Sequence, residues 1–143
     1  MKSKTLSETG ERTWALIFDK GDEPVALLTR FAEEHGLNAA SFTAIGAFSE
    51  AVTGYFDWEK KDYVRTRVDE QVEVLALTGD IAEANGKPKV HAHVVLGKRD
   101  GAAHGGHLLE ARVRPTLEVV LTETPARLVR RHDPETGLAL IRI

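Results

Sequence analysis

The sequence contains no cysteine. Disulfide bonds, a thiolate nucleophile and a cysteine-based zinc site are therefore excluded, and any metal site has to use histidine, aspartate or glutamate. No apolar run approaches the roughly 20 residues of a membrane-spanning helix. The first ten residues also lack the apolar stretch of a secretory signal. We therefore expect a cytoplasmic protein that does not enter a membrane.

An excess of basic residues is also missing. The chain has 19 lysine and arginine residues against 22 aspartate and glutamate residues, so its formal net charge is −3 at pH 7. Domains that bind nucleic acid through its phosphates normally carry the opposite imbalance. The sequence also contains no P-loop, no dinucleotide-binding glycine pattern and no Ser-His-Asp order. The net charge therefore disfavours DNA or RNA as a partner. Because these three motifs are absent, they indicate no enzyme class for this sequence.

The length and composition fit one globular domain. The chain has 143 residues, of which 42% are hydrophobic and 29% charged, which suffices for a core and an ordinary polar surface. Residues 1–10 are polar and rich in serine and threonine, so we expect a flexible N-terminal tail. Residues 11–143 are expected to form the single domain.

One helix is clearly marked. Asp22 is a suitable N-cap, and Pro24 stands where a first-turn proline is tolerated. Residues 25–32 carry an apolar stripe at helical spacing. The His35-Gly36 pair is typical of a helix C-terminus.

The rest of the chain alternates apolar and polar residues over short stretches, which predicts seven to nine short strands. Asn85-Gly86 is the strongest hairpin signal. Gly46 interrupts an apolar segment and divides it into predicted strands at 40–46 and 51–58, and Pro115 marks another boundary. The predicted fold class is α+β, with a twisted, mostly antiparallel β-sheet packed against one or two helices.

Histidines are concentrated in one part of the sequence. Four of the six lie between residues 91 and 107. His91 and His93 are two apart in a predicted strand, so their imidazoles point to the same face. The glycines before His107 would allow His104 or His107 to return to the same place. Three imidazoles without thiolates suit zinc first, and nickel, copper or iron as well.

A three-histidine site has at least one open coordination position, which water or a small anionic ligand can fill. Glu73 and Glu110 are the nearest carboxylates by sequence that could act as a fourth ligand. In a metal-dependent hydrolase or lyase either could also serve as the base. The alternative to a metal site is a half-buried pair of strand histidines with no ligand.

Arg112 and Arg114 share one face of a predicted strand. They are candidates for phosphate or DNA contacts. The alternative is a solvated strand whose charges prevent sheet-to-sheet association. The interleaved acidic residues favour the second interpretation.

Several motifs in a fixed order give the chain a family resemblance. Residues 72–79 read Val-Glu-Val-Leu-Ala-Leu-Thr-Gly and are followed by His91-x-His93 and Asp100-Gly101. Gly-Gly-His-Leu-Leu-Glu at 105–110 and Leu-Glu-Val-Val-Leu at 117–121 come next. Together with residues 44–47 and 55–57, these stretches resemble the plants and prokaryotes conserved domain, the PPC domain, from about Trp14 to Val129.

The resemblance implies an α+β fold, assembly into homotrimers and a frequent description as a predicted DNA-binding protein. It also implies that a metal such as zinc is held by His91, His93 and His107, while His104 matches no family position. In plant members an attached AT-hook contacts DNA.

Two features depart from the plant pattern. The Arg-Gly-Arg-Pro hook is absent, and the plant Gly-Arg-Phe-Glu-Ile-Leu motif corresponds to residues 70–75, where Gln71 replaces the arginine and Glu73 is kept. We therefore expect a homotrimeric, zinc-binding protein with a regulatory or ligand-binding role rather than an enzyme. A DNA-binding regulator and a metal-dependent hydrolase or lyase are the alternatives.

Overall fold

The computed structural model describes residues 1–7 and 11–143, which form one helix and nine strands in a single mixed sheet. This architecture confirms the predicted α+β fold with a mostly antiparallel sheet. In chain order the elements are β1 (Lys2–Ser7), β2 (Thr13–Phe18), α1 (Pro24–His35), β3 (Ala39–Asp57), β4 (Asp62–Val68), β5 (Val72–Ala84), β6 (Lys87–Gly97), β7 (Ala103–Glu123), β8 (Val129–His132) and β9 (Ala139–Arg142).

The central strands of the sheet are long and antiparallel. Its main path runs β1-β2-β7-β3-β5-β8-β9, with β4 paired to β3 and with β6 bridging β5 and β7. β5 and β8 pair in parallel through Glu83 and Val129. The outer hairpin β8–β9 is thereby attached to the edge of the sheet beside β5.

The helix covers one face of the sheet and encloses the core. Trp14 of β2 packs edge-on against Phe31 of α1, with ring centroids 5.6 Å apart. Phe18, Phe48 and Leu121 are fully buried in the same cluster. The opposite face of the sheet has no helix on it among the described residues, and the histidines project from that face.

The helix begins one residue later than the sequence suggests. Glu23, and not Asp22, is the N-cap, and its carboxylate accepts a hydrogen bond from the Ala26 amide. Asp22 instead accepts from the amide of Asp19 and forms an ion pair with the N-terminal ammonium. Gly36 ends the helix with φ 65°, as the sequence predicts.

Two predicted strand breaks are wrong. β3 runs unbroken through Gly46, which lies at a register shift with φ 154° and passes so close to Thr116 that a Cβ would lie 2.3 Å from its carbonyl oxygen. β7 likewise runs through Pro115, which follows a cis peptide bond. A glycine or proline inside a long bent strand marks a bulge or bend rather than its end.

The N-terminal segment also differs from the expected flexible tail. Residues 2–7 form β1, which pairs with β2 from Lys2 opposite Ile17 to Ser7 opposite Thr13. Backbone pairing thus orders a sequence that has little apolar content. The other residues of the predicted tail, 8–10, lie outside the described residues.

Candidate metal centre

Two strands of a hairpin position the first two histidines. Asn85 and Gly86 form the turn between β5 and β6, both with positive φ, as a two-residue hairpin loop requires. The resulting register places Asp80 opposite His91 and Thr78 opposite His93. His91 and His93 lie two residues apart on β6 and project from the same face of the sheet.

Strand β7 supplies the third histidine. It returns beside β6 and places His107 directly opposite His93. Gly106 precedes His107 and passes close to β3. A Cβ at this position would lie 2.8 Å from the carbonyl oxygen of Gly54. Glycine at 106 thus permits the close strand packing that brings His107 to the pair.

The three imidazoles converge. One nitrogen from each of His91, His93 and His107 lies within 4.8 Å of the others. The Nε2 atoms of His91 and His93 are 3.2 Å apart, close to the about 3.3 Å between two nitrogens that bind one tetrahedral zinc at 2.0–2.1 Å. The structure therefore brings together the three histidines that the sequence singles out and leaves His104, which is exposed, outside the cluster.

The protonation state of the histidines in the cluster favours binding of a cation. Burial, together with the charges of His91 and His93, lowers the pKa of His107 to about 4. Burial and then His91 also lower the pKa of His93. Both rings are therefore neutral at pH 7 and carry a nitrogen lone pair, which a metal ligand needs.

The Nδ1 atom of His107 also supports a bound cation. The Nδ1 atom of His107 is buried and has no hydrogen-bond partner among the described residues. Buried polar atoms are normally paired, so such an atom requires an explanation, of which a missing ion is one. A divalent metal fits the donor set and the spacing.

Asp80 and Arg130 lie next to the Nδ1 atom of His91. The Nδ1 atom of His91 faces Asp80, with its nearest oxygen 3.6 Å away. Arg130 of β8 binds the other oxygen of Asp80 at 2.5 Å and approaches the same Nδ1 to 3.4 Å. Nδ1 thus faces Asp80 and Arg130, which leaves Nε2, the nitrogen that faces His93, as the one positioned for a metal.

Arg130 keeps the Asp80 carboxylate ionised. Burial alone raises the pKa of Asp80, but its interactions with His91 and Arg130 outweigh burial and hold that pKa below the ordinary value. The Arg130 side chain is 7% exposed and also donates to the Ala139 carbonyl. Asp80 and Arg130 are not among the site residues that the sequence analysis singles out.

The other candidate residues lie elsewhere. Glu73 pairs with Gly97 across the β5–β6 ladder, and the Glu110 carboxylate binds Arg65. Neither belongs to the cluster of metal-binding atoms. Arg112 and Arg114 are exposed on β7, and Arg112 lines a cavity of about 460 Å³ together with Glu23, Glu50 and Glu110. No described helix has the length and apolar character needed to cross a membrane.

Comparisons with known proteins agree with this architecture. The sequence model of the Plants and Prokaryotes Conserved (PCC) domain matches residues 5–125. A plant- and prokaryote-conserved protein from Pyrococcus horikoshii is 32% identical, with 92% of each chain covered and a TM-score of 0.87. A search of the curated proteins finds no match.

Two further solved structures bear on the site. A protein from Archaeoglobus fulgidus that is called metal-containing is 40% identical over 100% of both chains, with a TM-score of 0.86. A protein from Bacteroides thetaiotaomicron described as a candidate DNA-binding protein is 28% identical, with a TM-score of 0.88 over 98% of this chain and 96% of its own.

Proposed function

Because the chain belongs to the Plants and Prokaryotes Conserved (PCC) domain family, we propose that it is a metal-binding member in which His91, His93 and His107 hold one divalent cation. The observation that carries the proposal is the convergence of three imidazole nitrogens within 4.8 Å. Zinc is the first candidate, because it favours neutral imidazole ligands and tolerates an open position. The metal-containing relative from A. fulgidus supports the assignment.

The proposed role is binding or regulation rather than catalysis. A hydrolytic metal site requires a general base within hydrogen-bond reach of the reacting water. Glu73 and Glu110 lie outside the histidine cluster. Asp80, the carboxylate next to it, is engaged with Arg130 and His91. A water or small anion at the open position of the metal completes the proposed site.

Metal analysis tests this proposal. Protein purified without chelators should contain about one divalent ion per chain, and Zn²⁺ should bind the chelator-treated protein with the same stoichiometry. His91→Ala and His93→Ala should each abolish tight binding. His104→Ala is the matched control, since His104 lies on β7 near the site but outside the cluster. Absence of metal from the wild type, or equal loss in the control, would overturn the proposal.

We also propose that the protein is a homotrimer, as the family resemblance implies. The face of the sheet that has no helix on it exposes large apolar side chains on four strands. Exposed contiguous apolar surface commonly marks a protein–protein contact. The residues are Ile45 of β3, Leu75 of β5, Val95 of β6 and Val120 of β7.

DNA binding is the second candidate function. It is supported by the relative from B. thetaiotaomicron that is described as a candidate DNA-binding protein. The net charge of −3 opposes it, and two arginines of β4 are already paired, Arg65 with Glu110 and Arg67 with Glu50. A salt titration with a labelled DNA duplex decides the question, because phosphate contacts strengthen as salt falls. Absence of binding at low salt would end this alternative.

A further inference from the structure

A small cavity opens directly beside the histidine cluster. Its volume is about 110 Å³. His91 and His107 form part of its wall, so the cavity adjoins the proposed metal position. The rest of the wall comes from Tyr63 of β4, from Lys89 and Val90 on β6 itself, from Arg130 of β8 and from residues 138–140 at the start of β9.

The polar part of the wall is cationic. Lys89 and Arg130 both line the cavity, and no aspartate or glutamate does within the part of the chain that the structure describes. Lys89 is exposed. An anionic group in the cavity would therefore meet the ammonium of Lys89 and the guanidinium of Arg130, whose charge is shared with Asp80 behind it.

Arg130 has one donor that the protein leaves unused. One terminal nitrogen of its guanidinium binds Asp80, and the other donates to the Ala139 carbonyl. Its Nε is buried and has no hydrogen-bond partner among the described residues. The residue as a whole is 9% exposed. A buried donor without a partner requires an explanation. Because this Nε has almost no accessible surface, an anion in the adjoining cavity would meet the charge of the guanidinium rather than Nε itself.

The size of the cavity and the apolar part of its wall restrict the class of anion that the cavity can bind. A cavity of about 110 Å³ has room for a small ligand, since about 10–15 Å³ suffices for a single water. The half-buried side chains of Leu138 and Leu140 give the cavity an aliphatic part of its wall. A tetrahedral oxyanion has no apolar part to match this wall, whereas a short aliphatic carboxylate does.

We propose that this cavity binds a short aliphatic carboxylate, with the carboxylate group between the histidine centre and Arg130 and Lys89, and with the alkyl part against Leu138 and Leu140. The inference rests on the proposed metal site, because a carboxylate oxygen would occupy its open position. Arg130 and the two leucines lie beyond residue 125, where the family match ends. The β8–β9 hairpin thus adds the recognition surface to a metal site that lies inside the matched region.

Cobalt-substituted protein provides the test, because the visible absorption of Co²⁺ responds to its ligands. Propionate should change the spectrum saturably, and phosphate should act only at much higher concentration. Lys89→Ala should weaken propionate binding by about two- to fivefold, as expected for loss of an ion pair with an exposed lysine. Leu140→Asp should weaken it further by placing a like charge on the wall. Lys87→Ala is the matched control, since Lys87 is an exposed lysine on β6 that does not line the cavity.

The outcomes separate the two proposals. If Co²⁺ does not bind the histidines, both the metal site and the carboxylate site are wrong. If Co²⁺ binds but propionate leaves its spectrum unchanged, only the carboxylate site is wrong. Equal responses to propionate and phosphate, with no effect of Lys89→Ala, would mean that any anion occupies the open metal position, which also overturns the carboxylate site. Thermal melts of the variants establish that each one is folded.

Discussion

At the residue scale, Asp80 is the main support of the proposed metal site outside the histidines. It faces the Nδ1 atom of His91 and is itself fixed by Arg130. Carboxylates in this position orient a ligating imidazole and set which of its nitrogens carries the proton. A change at Asp80 should therefore alter metal affinity without removing a ligand.

We predict that Asp80→Asn weakens Zn²⁺ binding by about 10- to 100-fold, the usual effect of losing such a support. Asparagine keeps the shape of the aspartate side chain and one of its oxygens. Because the three histidine ligands are unchanged, the stoichiometry of Zn²⁺ binding should stay the same. Competition against a chelator of known affinity measures the change. Glu73→Gln, a carboxylate change on the same strand but outside the cluster, should leave affinity as in the wild type. Equal affinity of Asp80→Asn and wild type would contradict the assigned role.

His107 makes stability of the metal-free protein depend on pH. Its pKa falls on folding from 6.5 to about 4, so below pH 6.5 the unfolded chain binds a proton that the folded chain does not. Its contribution to stability is therefore complete above pH 6.5 and is lost as the pH falls toward 4. His93, whose pKa is also lowered, adds to the same trend.

We therefore predict that the melting temperature of chelator-treated protein declines as the pH is lowered from 6.5 to 4. His107→Phe retains an aromatic ring against Tyr63, whose ring centroid lies 4.7 Å away, but removes the proton site, so the decline should become shallower. Thermal unfolding followed by circular dichroism across this pH range measures both slopes. His104→Gln should keep the slope of the wild type, and an unchanged slope in His107→Phe would refute the explanation.

At the element scale, the β5–β6 hairpin carries two of the three histidines and the supporting aspartate. Gly79 of β5 lies between Thr78 and Asp80, and a Cβ there would lie 2.4 Å from the His91 carbonyl oxygen and 2.4 Å from Cζ of Phe42. The hairpin thus packs too closely at this point for any side chain. Because one of the two neighbours is the backbone of a proposed ligand, the close packing helps to position the site.

We predict that Gly79→Ala destabilises the protein by about 1–3 kcal/mol, as overpacking usually does, and weakens Zn²⁺ binding because the His91 backbone has to shift. Chemical denaturation and the chelator competition measure the two effects. Thr78→Ala, at the neighbouring exposed position of β5, should change stability by no more than about 0.5 kcal/mol. Wild-type stability in Gly79→Ala would show that the two strands separate without cost.

Local sequence predicted much of this hairpin. Once Asn85-Gly86 is taken as a two-residue turn, counting outward along both strands places Ala84 opposite Lys87 and Asp80 opposite His91, as the structure has them. Asp80 could thus have been found by extending the turn prediction. Arg130 could not, because it reaches the site through a parallel contact between β5 and β8, and no local pattern specifies such long-range pairing.

Because local sequence does not specify long-range pairing, the fold predictions that depend on such pairing are the wrong ones. The α1 helix has its capping and stop signals within its own residues, so it was predicted to within one residue at its N-terminus. The continuity of β3 through Gly46 depends on Thr116, which is 70 positions away in the sequence. The strand character of residues 2–7 depends on pairing with β2. Tertiary contacts override local propensity in both cases.

At the scale of the whole molecule, the two faces of the sheet differ in what covers them. The α1 helix and the core occupy one face. The other has the histidines together with Ile45, Leu75, Val95 and Val120, and Leu75 is 55% exposed. A soluble monomer has little reason to place apolar side chains on four adjoining strands, whereas a subunit interface requires such a surface.

We predict that the wild-type protein sediments with the mass of three chains and that Leu75→Lys shifts it toward the mass of one. A lysine buried at an apolar contact loses its hydration without gaining a partner, so association should weaken. The isolated chain should tolerate the change, since Leu75 is mostly exposed in it. Glu33→Lys introduces a lysine on α1, on the other side of the sheet, and should remain trimeric. Analytical ultracentrifugation over a range of concentrations measures all three proteins, and a monomeric wild type would refute the trimer and this interface together.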